Sequence, residues 1–177
     1  MTPYQTVVFI DLDATLIINP FDRAVWPVIL GEIVAQSGQT PEHILDLIAA
    51  ENAARQADDR VPPVQAMDWD DISRVVAGRL GVTLTASVEA LVRQHAAQSS
   101  ILDAGDAVLR ELAAPHRALV VATKGLAKYQ RPVLDALGLT PLFTSILTPD
   151  AHNGLKKHRA FFGEWPERAR LAVMVGD

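Results

Sequence analysis

Apolar residues fall into short unbroken runs near the two ends of the chain and into longer periodic stretches between them. The runs are Val7-Val8-Phe9-Ile10, the segment Arg117-Ala118-Leu119-Val120-Val121-Ala122, and Leu171-Ala172-Val173-Met174-Val175. Continuous apolar runs without alternation predict strands buried on both faces, as in a parallel sheet. From about Asp22 to Ala97 the spacing changes to three and four, which predicts four amphipathic helices and no strand. The first, over about 22–36, carries Val25, Val28, Ile29 and Ile33, with Pro27 in its first turn, where a missing N–H is tolerated. The second has Thr40 as N-cap and Pro41 at its first position, then Ile44, Leu45, Leu47 and Ile48. Val61-Pro62-Pro63 predicts an extended linker. The third starts at Asp68, carries Ile72, Val75, Val76 and Leu80, and stops at Gly81. The fourth, over about 86–97, carries Val88, Leu91, Val92 and His95.

After residue 100 helices and strands alternate. The pattern predicts a helix over 106–114, a strand over 117–122 and a helix over 126–137 that ends at Gly138. Pro132 lies inside that helix and predicts a kink or a late start. A strand over 143–147, a short helix near 157–163 and a strand over 171–175 complete the series. Such alternation predicts an α/β fold: a Rossmann-like parallel sheet with helices on both faces. Residues 1–18 and 100–177 would form this core, and residues 19–99 an inserted, all-helical unit. Ligands of open α/β sheets bind at the carboxyl ends of the strands. Here those ends carry Asp11 and Asp13, Thr123, and Asp177. A helical insertion leaving from that edge would hang over the site as a cap.

The strand ends carry the candidate chemistry. Two carboxylates one residue apart, at the end of a buried strand, repel each other and call for a cation between them. Magnesium is the simplest choice, since it takes few carboxylates together with water and phosphate oxygens. Asp11 is placed to attack phosphorus as a nucleophile. Asp13 can protonate the leaving oxygen and then activate water. Asp177 can ligate the metal, Thr123 can donate to a phosphate oxygen, and Lys156 or Lys157 can neutralise the charge at Asp11. Phosphoryl transfer rests on positioning and charge stabilisation, which this set of residues suits.

Composition narrows the partners. The chain has 177 residues, a net charge of −5, and no cysteine. Disulfides, thiolate metal sites and a cysteine nucleophile are excluded, and the composition fits a reducing, cytoplasmic setting. No apolar run approaches a membrane span, and the N-terminus lacks the basic residues of a signal peptide. There is no basic stripe, so binding to a long nucleic-acid backbone is not expected. A small phosphorylated metabolite is the expected partner.

Asp11-Leu12-Asp13-Ala14-Thr15-Leu16 after an apolar strand resembles motif one of the haloacid dehalogenase (HAD) superfamily of phosphohydrolases. Val121-Ala122-Thr123-Lys124-Gly125 resembles its second motif, Gly154-Leu155-Lys156-Lys157 its lysine motif, and Val173-Met174-Val175-Gly176-Asp177 the start of its acidic fourth motif. Order and spacing both agree, and the helical insertion lies between motifs one and two, as in the subfamily with a small helical cap. The resemblance implies that Asp11 is the nucleophile and Asp13 the acid/base, whose backbone carbonyl helps hold Mg²⁺. It implies Asp177 as the other metal carboxylate and a phosphatase working through an aspartyl-phosphate. Family dehalogenases lack an aspartate at the position of Asp13, so its presence favours phosphate esters. A phosphomutase and a non-catalytic binding protein are the alternatives. The spacing of Lys156 to Phe161 and Phe162 fits the family pattern better than that of Lys157. Lys124 stands where the family often has a small or amide residue. Similar proteins continue beyond Asp177, which implies that a C-terminal part of the core is missing from this sequence.

The remaining polar residues have plainer readings. Arg23, Arg55 and Arg60 suit a solvated face and Trp26 core packing, with substrate contact as the alternative for each. Asp150, after Thr148-Pro149, suits a turn. The five histidines show no metal-ligand spacing.

Overall fold

A computed structural model of the chain describes residues 4–176. In chain order it forms β1 (Tyr4–Ile10), β2 (Ile17–Ile18), α1 (Trp26–Ser37), α2 (Pro41–Ala57), α3 (Pro63–Ala66), α4 (Trp69–Arg79) and α5 (Val88–His95). There follow β3 (Ser100–Ile101), α6 (Gly105–Leu112), β4 (Arg117–Ala122), α7 (Ala127–Ala136), β5 (Ser145–Leu147), α8 (Pro149–His152) and β6 (Ala169–Val175). The protein is an α/β molecule around a parallel four-stranded sheet in the order β5-β4-β1-β6. β1 is central, pairing Phe9 with Val120 of β4 and with Met174 of β6. All four strands run the same way, so their carboxyl ends meet along one edge. β5 and β6 are the outer strands of the described sheet, and β6 exposes Leu171, Val173, Met174 and Val175.

Alternation along β1 and β4 sends side chains to two faces. Val8, Ile10, Leu119 and Val121 pack into a large cluster with residues of the helical segment and with Leu126, Val133 and Leu134. Val7, Phe9, Ala118, Val120 and Ala122 form a second cluster with Leu147 and Phe161. That second face is covered by 3₁₀ turns at Arg159–Phe162 and Trp165–Arg168 rather than by the predicted helix near 157–163. Gly154, Gly163 and Pro166 divide the segment into pieces too short for an α-helix. The predicted strand over 143–147 shortens to Ser145–Leu147 because Thr140–Leu142 turns in 3₁₀ fashion ahead of it. α7 runs through Pro132.

The helical segment follows its sequence signals. Thr40 Oγ1 accepts the His43 N–H at the start of α2, and Asp68 Oδ1 accepts the N–H groups of Asp70 and Asp71 at the start of α4. Gly38, Gly81 and Gly138 follow helix ends with positive φ. Three features differ from the pattern. A π-helical turn, Phe21–Val25, precedes α1. The one-turn helix α3 begins at Pro63, the last residue of the segment read as a linker, while Pro62 stays extended. A two-residue antiparallel ribbon pairs Ile17 with Ile101 and Ile18 with Ser100, so the chain enters and leaves the helical segment through one zipped neck. Among the described residues, no helix is long and apolar enough to cross a membrane.

Candidate active site

β1 delivers Asp11 to the carboxyl edge of the sheet. Its N–H donates to the Val175 carbonyl (3.0 Å), continuing the β1–β6 pairing one step beyond Ile10. The chain then turns sharply. The Leu12 carbonyl accepts N–H groups from Thr15, Leu16 and Ile17, and Ala14 sits at φ 59. This tight loop brings Asp13 back beside Asp11. Gly176 closes the floor, with φ +99 and an ideal Cβ position only 2.6 Å from Asp11 Cβ, so only glycine fits there.

Each Asp13 carboxylate oxygen has its own amide donor. Asn19 Nδ2 donates to Oδ1 (2.7 Å) and Gln130 Nε2 to Oδ2 (2.8 Å). Gln130 is buried on the first turn and a half of α7, beneath Gly125. A Cβ on Gly125 would lie 2.2 Å from Gln130 Nε2, so the missing side chain makes room for the amide. α7 is itself fixed at its N-terminus by Asp150, whose Oδ1 accepts the Ala127 N–H (3.0 Å). The turn residue of the sequence reading thus serves as a remote helix cap.

Thr123 follows β4 and is buried, with Oγ1 accepting the Gly125 N–H (3.1 Å). That leaves its hydroxyl proton for another acceptor. Lys156 comes from the loop after α8, anchored by the fully buried Phe161. Its Nζ stands 3.0 Å from Asp11 Oδ1, with both side chains buried. The contact is an ion pair without hydrogen-bond alignment, and the ammonium has no hydrogen-bond acceptor among the described residues. Lys157 points elsewhere and donates to the Gln56 carbonyl near the end of α2 (2.6 Å). Asp11, Asp13, Thr123 and Lys156 therefore converge, and Asp177 lies outside the described residues. Asp11, Asp13, Thr15, Thr123 and Lys124 line one cleft of about 450 Å³.

A second cavity of about 380 Å³ adjoins it and shares Asp13 and Lys124. It lies between the sheet edge and the helical segment, with Trp26 in its wall. Of the arginines named above, Arg55 pairs with Glu51 and Asp71, Arg60 pairs with Asp58, and Arg23 is exposed.

Beside that cavity a polar cluster, with Asp70 and Tyr129 buried and Asp68 and Lys128 half-buried, joins the helical segment to α7. Lys128 Nζ lies 2.8 Å from Asp68 Oδ1 and 3.4 Å from Asp70 Oδ2. Tyr129 donates its proton to Asp68 Oδ1 (2.8 Å) and accepts the Asp70 N–H (3.0 Å). Asp70 in turn accepts the N–H groups of Val88 and Glu89 at the start of α5. Burial pushes the Asp68 carboxyl up, but the Lys128 and Tyr129 hydrogen bonds and the Lys128 charge outweigh it and hold it below the ordinary range. Burial is also the main reason the Tyr129 phenol is held well above its ordinary value, so it stays a donor. Neither Gln130 nor this cluster was identified from sequence. The Asp68-x-Asp70 pair was a visible signal, but its partners come from α7.

No family model and no curated protein matches the sequence. Solved structures do. A HAD phosphatase from Thermococcus onnurineus is 22% identical, with a TM-score of 0.75 over 98% of this chain and 77% of that one. The L-2-haloacid dehalogenase from Xanthobacter autotrophicus is 20% identical, with a TM-score of 0.55 over 93% of this chain and 64% of that one. YfnB of Bacillus subtilis, assigned as a HAD-hydrolase and bound to magnesium, is 17% identical, with a TM-score of 0.61 over 94% and 74%. The chain has the fold of the haloacid dehalogenase superfamily hydrolases.

Proposed function

We propose that this chain is a Mg²⁺-dependent phosphomonoester hydrolase that works through an aspartyl-phosphate on Asp11. The observation that carries the reading is Lys156. A buried ammonium with no hydrogen-bond acceptor among the described residues, 3.0 Å from a buried carboxylate, leaves room for a further oxygen anion in the same cleft. A phosphate oxygen is such a group. The nearby hydroxyl of Thr123 is a second donor for it.

The acidic donors present also suit the metal. Asp11 and Asp13 offer only hard oxygen ligands, without histidine or thiolate, as magnesium prefers. The Asp11 carboxylate and the Asp13 backbone carbonyl would hold the ion, with Asp177 proposed as a further ligand. Bound there, Mg²⁺ would offset negative charge on the phosphoryl oxygens.

In the first step a carboxylate oxygen of Asp11 attacks phosphorus, the Asp11 O–P bond forms and the ester P–O bond breaks. Asp13, protonated, gives its proton to the departing alkoxide. In the second step Asp13, now a carboxylate, takes a proton from water as that water attacks phosphorus. The Asp11 O–P bond breaks, and phosphate leaves with Asp11 restored. Asn19 and Gln130 fix Asp13 in both steps, since an amide can donate to the carboxylate or, turned over, accept from the acid. Lys156 balances charge at Asp11 throughout.

Both phosphatases and dehalogenases share this fold. The presence of Asp13, held by two amides beside Asp11, supports phosphate esters, because a leaving alkoxide needs a proton and a leaving halide does not. The test is phosphate and chloride release, with and without Mg²⁺, from phosphoesters and a 2-chloro acid. Mg²⁺-dependent phosphate release that Asp11→Asn abolishes is expected. Full turnover in Asp11→Asn would sink the reading, and chloride release alone would replace it with dehalogenation.

A further inference from the structure

The second cavity has a chemistry of its own. Its walls are four aromatic rings from four segments: Phe21 in the π-helical turn, Trp26 in α1, Trp69 in α4 and Tyr129 in α7. They hold one another in edge or tilted contacts. The Trp26 and Trp69 centroids are 5.7 Å apart at 88°, Phe21 and Trp26 are 5.5 Å apart, and Phe21 and Tyr129 are 6.1 Å apart at 83°. Such mutual packing fixes the walls before any ligand arrives.

Two amides supply the polar edge. Asn52 Nδ2 donates to the Ala66 carbonyl (2.7 Å), and Gln56 Nε2 donates to Asn52 Oδ1 (2.7 Å). This chain orients Gln56 and leaves its side-chain oxygen without a donor among the described residues. The charged lining groups are Asp13 and Lys124, both shared with the phosphate cleft, and the exposed Asp22. Among the described residues, no arginine or histidine lines the cavity. A carboxylate on the substrate would therefore meet Asp13 and Asp22, and the one cation among the described lining residues, Lys124, already borders the phosphate cleft.

We infer that the alcohol portion of the substrate carries a ring and no negative charge, and that it lies between these aromatic walls with a hydroxyl or N–H on Gln56. The inference rests on the proposed phosphoester hydrolysis, which puts phosphorus at Asp11 and sends the alcohol past Asp13 into this cavity. The aromatic faces reward a planar or puckered ring, and the lining charges disfavour short carboxylated esters.

The test crosses the two properties in four alkyl phosphates: benzyl phosphate, 4-carboxybenzyl phosphate, glycerol 3-phosphate and phosphoglycolate. Benzyl phosphate is expected to exceed each of the others by about ten-fold in kcat/KM, and Trp69→Leu to lower the benzyl-to-glycerol ratio by about five-fold. A separate titration uses Asp11→Asn protein and the intrinsic fluorescence of Trp26 and Trp69. Benzyl phosphate should change that signal and inorganic phosphate should not; Trp69→Leu should diminish the change. Comparable turnover of all four esters would overturn the inference and leave the hydrolase reading intact. A fluorescence response without any turnover would overturn the hydrolase reading and, with it, the assignment of the ring to a substrate's alcohol, leaving a cavity that binds rings without chemistry. Neither turnover nor response would end both.

Discussion

Gly125 and Gln130 show how narrowly the proposed acid/base is held. The Gln130 amide reaches Asp13 Oδ2 only through the space where a side chain at position 125 would stand. Gly125→Ala must push the amide away, and Asp13 then keeps Asn19 as its amide partner. A misplacement of this kind is expected to lower kcat by about 10- to 100-fold. KM should change far less, because the proposed phosphate partner Lys156 comes from a different loop and Gly125→Ala leaves the backbone N–H that Thr123 Oγ1 accepts in place. Steady-state kinetics on any turned-over ester, with circular dichroism to verify folding, checks this; an unchanged kcat would show that Gln130 does not position Asp13. The same residues mark the limit of sequence reading. Asp11, Asp13 and Thr123 are conspicuous because each follows an apolar run, and period and chain order then place them on one edge. Gln130 lies 117 residues from Asp13 in the chain and occupies an ordinary helical position. No local pattern records such an approach.

At the scale of elements, α7 links two neighbourhoods through three consecutive residues. Lys128 and Tyr129 hold the carboxylates at the start of α4, while Gln130 holds Asp13. Tyr129→Phe keeps the ring against Phe21 but removes a donor to ionised Asp68 and one of the two acceptors of the buried Asp70 N–H, leaving it Asp68 Oδ1. Loss of a hydrogen bond to a charged group costs about 1.5–3 kcal/mol. For a chain of this size that lowers Tm by roughly 3–12 °C at neutral pH. The dependence on pH follows from Asp68, whose carboxyl is held below its ordinary value of 3.8. Its contribution to stability is complete above that value and is lost as pH falls through the lower folded value. Thermal unfolding of both proteins should thus show a wide gap at pH 7 that narrows below pH 3.8; a gap independent of acid would remove Asp68 from the account. The helices themselves were legible from period and caps, such as Thr40-Pro41 and Asp68. The ribbon of β2 and β3 was not, since two residues are too few to show a period.

The larger of the two apolar clusters runs through both parts of the molecule. It begins at Val8, Ile10, Leu119 and Val121 on the sheet and continues through Leu16 and Ile17 at the neck. From there it extends to Ile29, Ile33, Ile44, Ile72 and Val92 of the helical segment. Chain order alone suggested a core of residues 1–18 and 100–177 beside a separate helical unit. Packing argues that the two share their stability, because the neck residues and Tyr129 belong to both. The Lys128–Asp68 contact and the β2–β3 ribbon add polar ties across the same junction. A unit whose core is continuous with its neighbour's exposes that shared surface when it unfolds alone, which favours a single cooperative transition. The tryptophans report on both sides: Trp26 and Trp69 in the helical segment, and Trp165 against Tyr4 beside the sheet. Urea titrations of Trp165→Phe protein, and of protein with both Trp26 and Trp69 changed to Phe, should give midpoints that coincide with each other and with far-UV circular dichroism. An earlier midpoint for Trp26 and Trp69 would show that the helical segment melts on its own, and that the junction holds it in place without sharing its core.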